Sequence, residues 1–216
     1  MTPLRVALPK GRMMDEALRL FEAMGAVIDP AARDTRRLIL PSADGRVEFL
    51  PVKSGDVPVY VETGVADAGI VGQDVLDEGE PDVLRPLDLG FGGCRLAVAA
   101  PEGRPYPRLA GGGIPRVATK YVESARRFFA ARGIQVELIR ISGSVELAPL
   151  LGLSDWIVDL VQTGRTLAEN GLVVVDDVSS SSARWIVNRA SHKLRLDEHQ
   201  RLITELAAAV ERVGRG

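Results

Sequence analysis

Short apolar runs alternate with amphipathic stretches along the whole chain. Residues 4–8 form an apolar strand pattern. Met14, Ala17, Leu18, Phe21 and Met24 then recur at the helical period, and Gly25 is placed for a left-handed cap. Residues 37–40 and 47–52 predict two strands around a turn at 42–45. A helix follows from Ser54-Gly-Asp56, with Pro58 in its first turn, then a strand of small residues at 67–72, a short helix at 73–78 and a strand at 82–87. Beyond the glycine-rich stretch 90–95, strands are predicted at 96–100, 116–119, 136–141, 157–161, 172–178 and 185–187. Helices are predicted at 122–132, at 145–151 and from Leu167, and a last one runs over 197–213 with Asp197 and Gln200 as a capping-box-like pair.

This alternation predicts an α/β protein with largely parallel sheets. The glycines at 90–95 read as a crossing between two lobes, with ligands expected at the carboxyl ends of the strands. The length of 216 residues allows one large domain or two small ones. A net charge of −2 offers no basic footprint for nucleic acid. No apolar run reaches the length of a membrane span, and residues 1–8 enter a strand pattern in place of a signal peptide, so a cytoplasmic protein is expected. The single cysteine, Cys94, excludes an internal disulfide framework, and the two histidines, His192 and His199, form no zinc-ligand spacing.

Two strand–loop–helix junctions carry the candidate chemistry. In the first, the strand at 157–161 holds Asp159 and leads into Thr163, Gly164, Arg165 and Thr166 before the helix at Leu167. Backbone N–H groups at a helix start, two hydroxyl donors and a glycine that admits close approach suit an anion, with the helix dipole adding positive charge. Asp159 is placed to accept hydrogen bonds from sugar hydroxyls, so a phosphoribosyl group is the ligand expected. Taken alone, such a four-residue loop is more often an ordinary turn. In the second junction, the strand at 4–8 leads through Lys10 and Arg12 into a helix, which serves an anion or, equally well, a solvated surface.

Over a longer span the residues resemble the ATP phosphoribosyltransferase family in its short form. The family's signature is an acid, a Gly-x-small pair, a strand with an aspartate, and [ST]-G-x-T-[LM]. It reads here as Glu146, Gly152, Ser154, Ile157, Asp159, Leu160, Thr163, Gly164, Thr166 and Leu167. Residues 8–12, 64–72, 92–95 and 143–146 agree as well. The resemblance implies a two-lobed fold of the type II periplasmic-binding-protein kind with a cleft between domains. Domain I is then residues 1–90 plus 179–216, and domain II is 91–178 with the phosphoribosyl pyrophosphate loop.

It also implies a reaction: N1 of the ATP adenine attacks C1 of phosphoribosyl pyrophosphate, with Mg²⁺ carried by the substrates, and pyrophosphate leaves with inversion. A neutral nucleophile needs no strong base, so the demand is for alignment and for cations at the leaving group. The 5-phosphate is assigned to Thr163, Gly164, Arg165 and Thr166, and the ribose hydroxyls to Asp159. Lys10, Arg12 and Arg37 meet phosphate charge from the other lobe, with Arg12 at the leaving group, and Glu146 positions substrate or magnesium. Relatives often carry Arg where Pro51 stands, and Lys53 is the substitute on offer. The long form's histidine-binding C-terminal domain has no counterpart here. The resemblance therefore implies a catalytic homodimer working with a separate regulatory subunit related to histidyl-tRNA synthetase.

Two rival readings compete. Asp176 and Asp177, at the end of an apolar run, resemble the acids of purine-type phosphoribosyltransferases, but the serines at 179–182 lack the glycine of a phosphate loop. A solute-binding module with the same two-lobed fold would bind a small anion and do no chemistry.

Overall fold

The computed structural model describes residues 2–29, 32, 37–107 and 112–213. It divides into two compact units. The first comprises Met1–Leu76, Glu80–Gly92 and Ser182–Gly216, and the second Asp77–Gly79 and Gly93–Ser181. The chain first builds β1 (Leu4–Pro9), α1 (Arg12–Ala23), β2 (Leu40–Pro41), β3 (Val47–Val52), a 3-10 turn (Ser54–Asp56), α2 (Val57–Glu62), β4 (Ala68–Gly72), α3 (Gln73–Gly79) and β5 (Leu84–Asp88). The second unit contains β6 (Cys94–Pro101), β7 (Arg116–Thr119), α4 (Val122–Ala131), β8 (Glu137–Arg140), α5 (Leu147–Leu150), β9 (Trp156–Val161), α6 (Arg165–Glu169) and β10 (Leu172–Ser181). The chain then returns to the first unit as β11 (Ala183–Val187), α7 (Arg189–Leu194) and α8 (Leu196–Val213).

Each unit is built on one sheet, ordered β2-β3-β1-β4-β11-β5 in the first and β10-β6-β9-β7-β8 in the second. The sheets are mixed, not largely parallel. β1 pairs parallel with β3 and β4, and β7 with β8 and β9, while β2, β5, β6, β10 and β11 pair antiparallel. Parallel neighbours need a crossover connection, usually a helix. The stretch through β10 and β11 has none, because the serines at 179–181 continue the strand instead of ending it. Two further readings are corrected. Arg37 lies outside any strand, and the paired segment is only Leu40–Pro41, where the register to Phe49 and Glu48 begins. Asp197 sits inside the first turn of α8 and is not its cap, because the non-helical residue between α7 and α8 is Arg195 (φ −128°, ψ 42°) and the helix already begins at Leu196.

Both sheets bury apolar residues on two faces. In the first unit Leu4, Val6, Leu8, Phe21, Phe49 and Trp185 pack on one side, and Ala7, Val57, Val61, Val71 and Ile186 on the other. Gly69 of β4 is what lets α2 come close. A methyl group there would stand 2.8 Å from Val57 Cγ1 and 3.0 Å from the Ala7 carbonyl oxygen and from Val61 Cγ2. Gly69→Ala is expected to cost about 1–3 kcal/mol, the usual penalty of overpacking. The check is a lower urea midpoint at an unchanged slope; an unmoved midpoint would mean that α2 is not held against this strand.

The start of α8 is tied to the approach to β4. Ser191 Oγ donates to Asp67 Oδ1 at 2.5 Å and lies 2.9 Å from His199 Nε2, and the Arg5 amide donates to Asp67 Oδ2 at 2.8 Å. His199 is fully buried, and burial holds its pKa below the ordinary histidine value, which favours the neutral ring. The serine lies between acid and imidazole, so this cluster is a brace and not a nucleophile–base–acid array. No helix among the described residues is long and apolar enough to cross a membrane.

Candidate functional site

In the second unit β9 carries the acid. Trp156, Ile157 and Val158 are fully buried, and Asp159 is half-buried where the strand nears its end. Ile157 and Val161 pack with Ala97, Ala99 and Ala118. The strand's two-residue period therefore sends Asp159 out from that same face. Burial pushes the Asp159 carboxyl above the ordinary carboxylate value. The Leu160 amide, which donates to Oδ1 at 2.8 Å, and the Lys120 ammonium pull it back, and the Glu146 carboxylate pushes it further up.

Beyond Val161 the chain turns at Gly164, whose φ of 75° lies in the left-handed region that glycine tolerates. The Arg165 amide points at Thr163 Oγ1 at 3.4 Å, and Gly164 O accepts from the Ala168 amide at 3.0 Å, which closes the first turn of α6. Thr163, Arg165 and Thr166 are exposed, and Leu167 is buried as the anchor of the loop. α6 has five residues, so the macrodipole expected from the sequence is small. The donors this loop offers are first-turn amides and threonine hydroxyls. Arg165 Nε pairs with Glu169 Oε1 at 2.7 Å along the exposed face.

Glu146 enters from the turn before α5. Ser144 in that turn has a φ of 48°, unusual for a residue with a side chain and worth about 1–2 kcal/mol of strain. The Leu147 amide closes the turn on Ser144 O at 3.1 Å. Two other signature positions lie in the turn that leads into β9. Gly152 O accepts from Arg116 Nη2 at 3.0 Å, and Ser154 is buried in the turn that leads into β9. Next to it Asp155 is buried, which opposes its ionisation, but the Arg116 amide at 2.9 Å and the Arg104 and Arg116 guanidiniums hold its pKa below the ordinary value.

The rival acid is committed elsewhere. Asp176 Oδ2 accepts from the Tyr106 hydroxyl at 2.8 Å and pairs with Arg132 at 3.5 Å. Burial, then this hydrogen bond, push the Tyr106 hydroxyl pKa well up. The serines that follow lie in β10, so no phosphate loop forms there.

Of the cations predicted in the first unit, Lys10 and Arg12 follow directly on β1, at the carboxyl end of that strand. β1 and β3 run parallel, with Pro9 opposite Val52, and the Lys10 amide donates to Val52 O at 2.8 Å. Lys10 and Lys53 thus leave adjacent strands at the same, carboxyl, end. Gly11 has a φ of 94° and turns the chain into α1, which Arg12 opens. Lys10 and Arg12 are exposed, and Arg12 Nε lies 3.8 Å from Glu16 Oε1. Arg37 is exposed and precedes β2.

The structure thus groups Asp159, Glu146 and the loop of Thr163, Gly164, Arg165 and Thr166 in the second unit, and Lys10, Arg12 and Arg37 in the first. Lys120 is the charged neighbour of Asp159 that sequence reading passes over. Its only local signal is a lysine directly after an apolar strand.

A family model described as ATP phosphoribosyltransferase matches residues 53–211. A protein named ATP phosphoribosyltransferase from Sorangium cellulosum is 47% identical over 213 residues, covering 99% of both chains. Another of that name from Rubrobacter xylanophilus is 49% identical over 218 residues, covering 100% of this chain and 98% of its own. Among solved structures, a chain of the ATP phosphoribosyl transferase (HisG:HisZ) complex from Thermotoga maritima superposes with a TM-score of 0.84 at 32% identity, covering 97% of this chain and 99% of that one. The periplasmic aliphatic sulphonate binding protein SsuA from Escherichia coli shares the fold, at a TM-score of 0.64 and 13% identity over 100% of this chain and 75% of that one.

Proposed function

The chain belongs to the ATP phosphoribosyltransferase family, and from that premise we propose how its residues divide the work of the first step of histidine biosynthesis. The reaction joins ATP to phosphoribosyl pyrophosphate. A bond forms between adenine N1 and ribose C1, the bond from C1 to the pyrophosphate oxygen breaks, and pyrophosphate leaves with that electron pair from the opposite face. The products are 1-(5-phospho-β-D-ribosyl)-ATP and pyrophosphate.

Thr163, Gly164, Arg165 and Thr166 take the 5-phosphate. Asp159, on the strand that ends at this loop, accepts from the ribose hydroxyls, which fixes the direction in which C1 presents itself. The observation that carries this assignment is the junction itself: a half-buried carboxylate on β9, followed within a few residues by a left-handed glycine and outward hydroxyls. Lys10, Arg12 and Arg37 meet the charge of the departing pyrophosphate, with Arg12 the principal donor because its fork can grip two phosphate oxygens. The first and second units are then the two domains of the family fold, the second carrying the phosphoribosyl loop.

Magnesium fits this site as an ion brought in by substrate. Mg²⁺ is commonly held by one or two carboxylates plus substrate phosphates. Glu146 lies near enough to Asp159 to raise its pKa, and that pair is such a donor set. When bound, the ion neutralises charge on the pyrophosphate; the protein's own residues do the orienting.

The Thermotoga structure is a HisG:HisZ complex, which supports a hetero-oligomer here: a catalytic homodimer with a separate regulatory subunit resembling histidyl-tRNA synthetase. A cytoplasmic location follows from substrates made and used in the cell interior. The test of this reading is pyrophosphate release that requires both ATP and phosphoribosyl pyrophosphate.

A further inference from the structure

We propose that His199 is an acid-sensitive catch: its neutral ring holds the joint between α7 and α8 onto the starts of β1 and β4, and a proton taken up at Nδ1 lets that joint open. The ring lies outside the catalytic assignments above. Ser191 has one hydroxyl proton, and it goes to Asp67 Oδ1 at 2.5 Å. The Asp67 carboxylate has none to give back, and its other oxygen accepts from the Arg5 amide at 2.8 Å. The 2.9 Å contact between Ser191 Oγ and His199 Nε2 therefore carries the imidazole's own proton. The ring is then the Nε2–H tautomer, and Nδ1 keeps a bare lone pair. His199 is fully buried, and its Nδ1 has no hydrogen-bond partner among the described residues. A neutral ring suits that place. A proton at Nδ1 would create a donor with nothing to accept it and a charge out of reach of water.

The contacts that depend on this ring join several elements. The Asp67 amide donates to Arg5 O at 2.9 Å, and the Asn188 amide donates to Asp67 O at 2.9 Å. Asn188 caps α7 by accepting from the Ser191 amide at 2.8 Å. The Ser191 side chain thus links β1, the approach to β4 and the start of α7 to the first turns of α8. Three residues after His199, Leu202 packs into the core of the first unit. The joint is therefore held by one buried core contact and by the chain from His199 through Ser191 to Asp67.

Charged groups face the ring from each side. Asp67 stands before β4, His192 lies on α7 with ring centroids 5.7 Å apart, Arg195 sits at the joint and Glu198 is on α8. Burial has the largest influence and disfavours the charged ring, His192 and Arg195 act in the same direction, and the two acids oppose them. Asp67 offers no hydrogen bond at Nδ1, because it meets the ring through Ser191, on the Nε2 side. Opening the joint would expose the ring to water, where its pKa returns to about 6.5. A histidine depressed in the folded state contributes stability that is present above the ordinary value and is lost as pH falls toward the folded one. Opening thus takes up a proton, and acid favours the open joint.

The test follows the full chain by NMR and by amide hydrogen exchange, with rates corrected for the intrinsic effect of pH. Long-range nitrogen–proton correlation should show His199 as the neutral Nε2–H tautomer at neutral pH. The Arg195 and His199 amides, which donate to Ser191 O at 2.8 Å and Arg195 O at 3.1 Å, report on the joint. Their protection should fall by up to about tenfold between about pH 7.5 and 5.5, the response to uptake of one proton. Amides of the sheet interior, at Val6 and Ile70, should keep theirs. His199→Gln retains a donor for Ser191 and cannot titrate, so its joint should hold the same protection across that range. An Nδ1–H tautomer or a charged ring at neutral pH overturns the assignment. So does protection that stays constant as His199 titrates, or that falls equally at Val6 and Ile70, which is unfolding of the whole unit. A folded glutamine variant with the wild-type acid response would move the effect to another group and overturn it as well. If that variant does not fold, the tautomer and the protection of wild type decide.

Discussion

Asp159→Asn is expected to lower kcat/KM for phosphoribosyl pyrophosphate by about two to four orders of magnitude. A hydrogen bond to a charged group contributes about 1.5–3 kcal/mol. Weakening two, from neighbouring ribose hydroxyls, costs about 3–6 kcal/mol, and each 1.36 kcal/mol is about tenfold in rate. The fold should survive. Burial first, then Glu146, raise the Asp159 pKa above the ordinary carboxylate value, against the pull of the Leu160 amide and Lys120. A raised folded-state pKa adds stability below the ordinary carboxylate value, and that contribution is lost as pH rises through the folded value. At neutral pH the ionised acid thus works against folding, and an uncharged isostere should leave the melting temperature unchanged or raise it. Steady-state kinetics with a thermal melt on the same sample check both halves. Near-normal activity would remove Asp159 from the ribose, and a collapsed melt would recast it as structural.

Arg12→Ala is expected to lower kcat by about 10²–10³-fold, the scale seen when one donor to a developing negative charge is removed. The loss should fall on kcat more than on either KM, because the charge on pyrophosphate grows as the bond to C1 breaks. Arg12→Lys should recover part of it, keeping the charge but not the two-pronged geometry. Little stability is at risk. Arg12 is exposed at the first position of α1, and its pair with Glu16 at 3.8 Å is a surface ion pair of small worth. Rates of pyrophosphate release measured with both substrates saturating would report the effect. An alanine enzyme with unaltered kcat would show that the leaving group is stabilised elsewhere, with Lys10 or Arg37 the next positions to replace.

What could be read from the chain follows what is local. The strand of β9, its single acid and the Gly164 turn lie within nine residues, and an apolar run broken by one acid and followed by one glycine is enough to place them. The helix cap at Gly25 is legible for the same reason, and that glycine has a positive φ. Arg37 was misread because strand propensity says nothing about a partner: the antiparallel register to β3 takes in only Leu40 and Pro41. The strand predicted over 172–178 stops short of the serines, because apolar pattern is blind to pairing, yet β6 supplies partners as far as Ser181. Lys120 is not legible because it stands far from Asp159 in sequence and becomes its charged neighbour only in the fold. The signature itself blends two kinds of residue. Asp159, Thr163 and Gly164 form the junction, whereas Gly152 and Ser154 shape the turn behind it, a distinction that needed the Arg116 and Asp155 contacts to draw.

The most direct measurement is a mass balance on the full chain with its regulatory subunit. ATP, phosphoribosyl pyrophosphate and Mg²⁺ are supplied together and then one at a time withheld, with pyrophosphate quantified and the nucleotide weighed by mass spectrometry. Pyrophosphate should appear one-for-one with an ATP adduct heavier by a phosphoribosyl group, and only when both substrates are present. Binding of phosphoribosyl pyrophosphate with no adduct and no pyrophosphate would contradict the account and leave a two-unit solute-binding module.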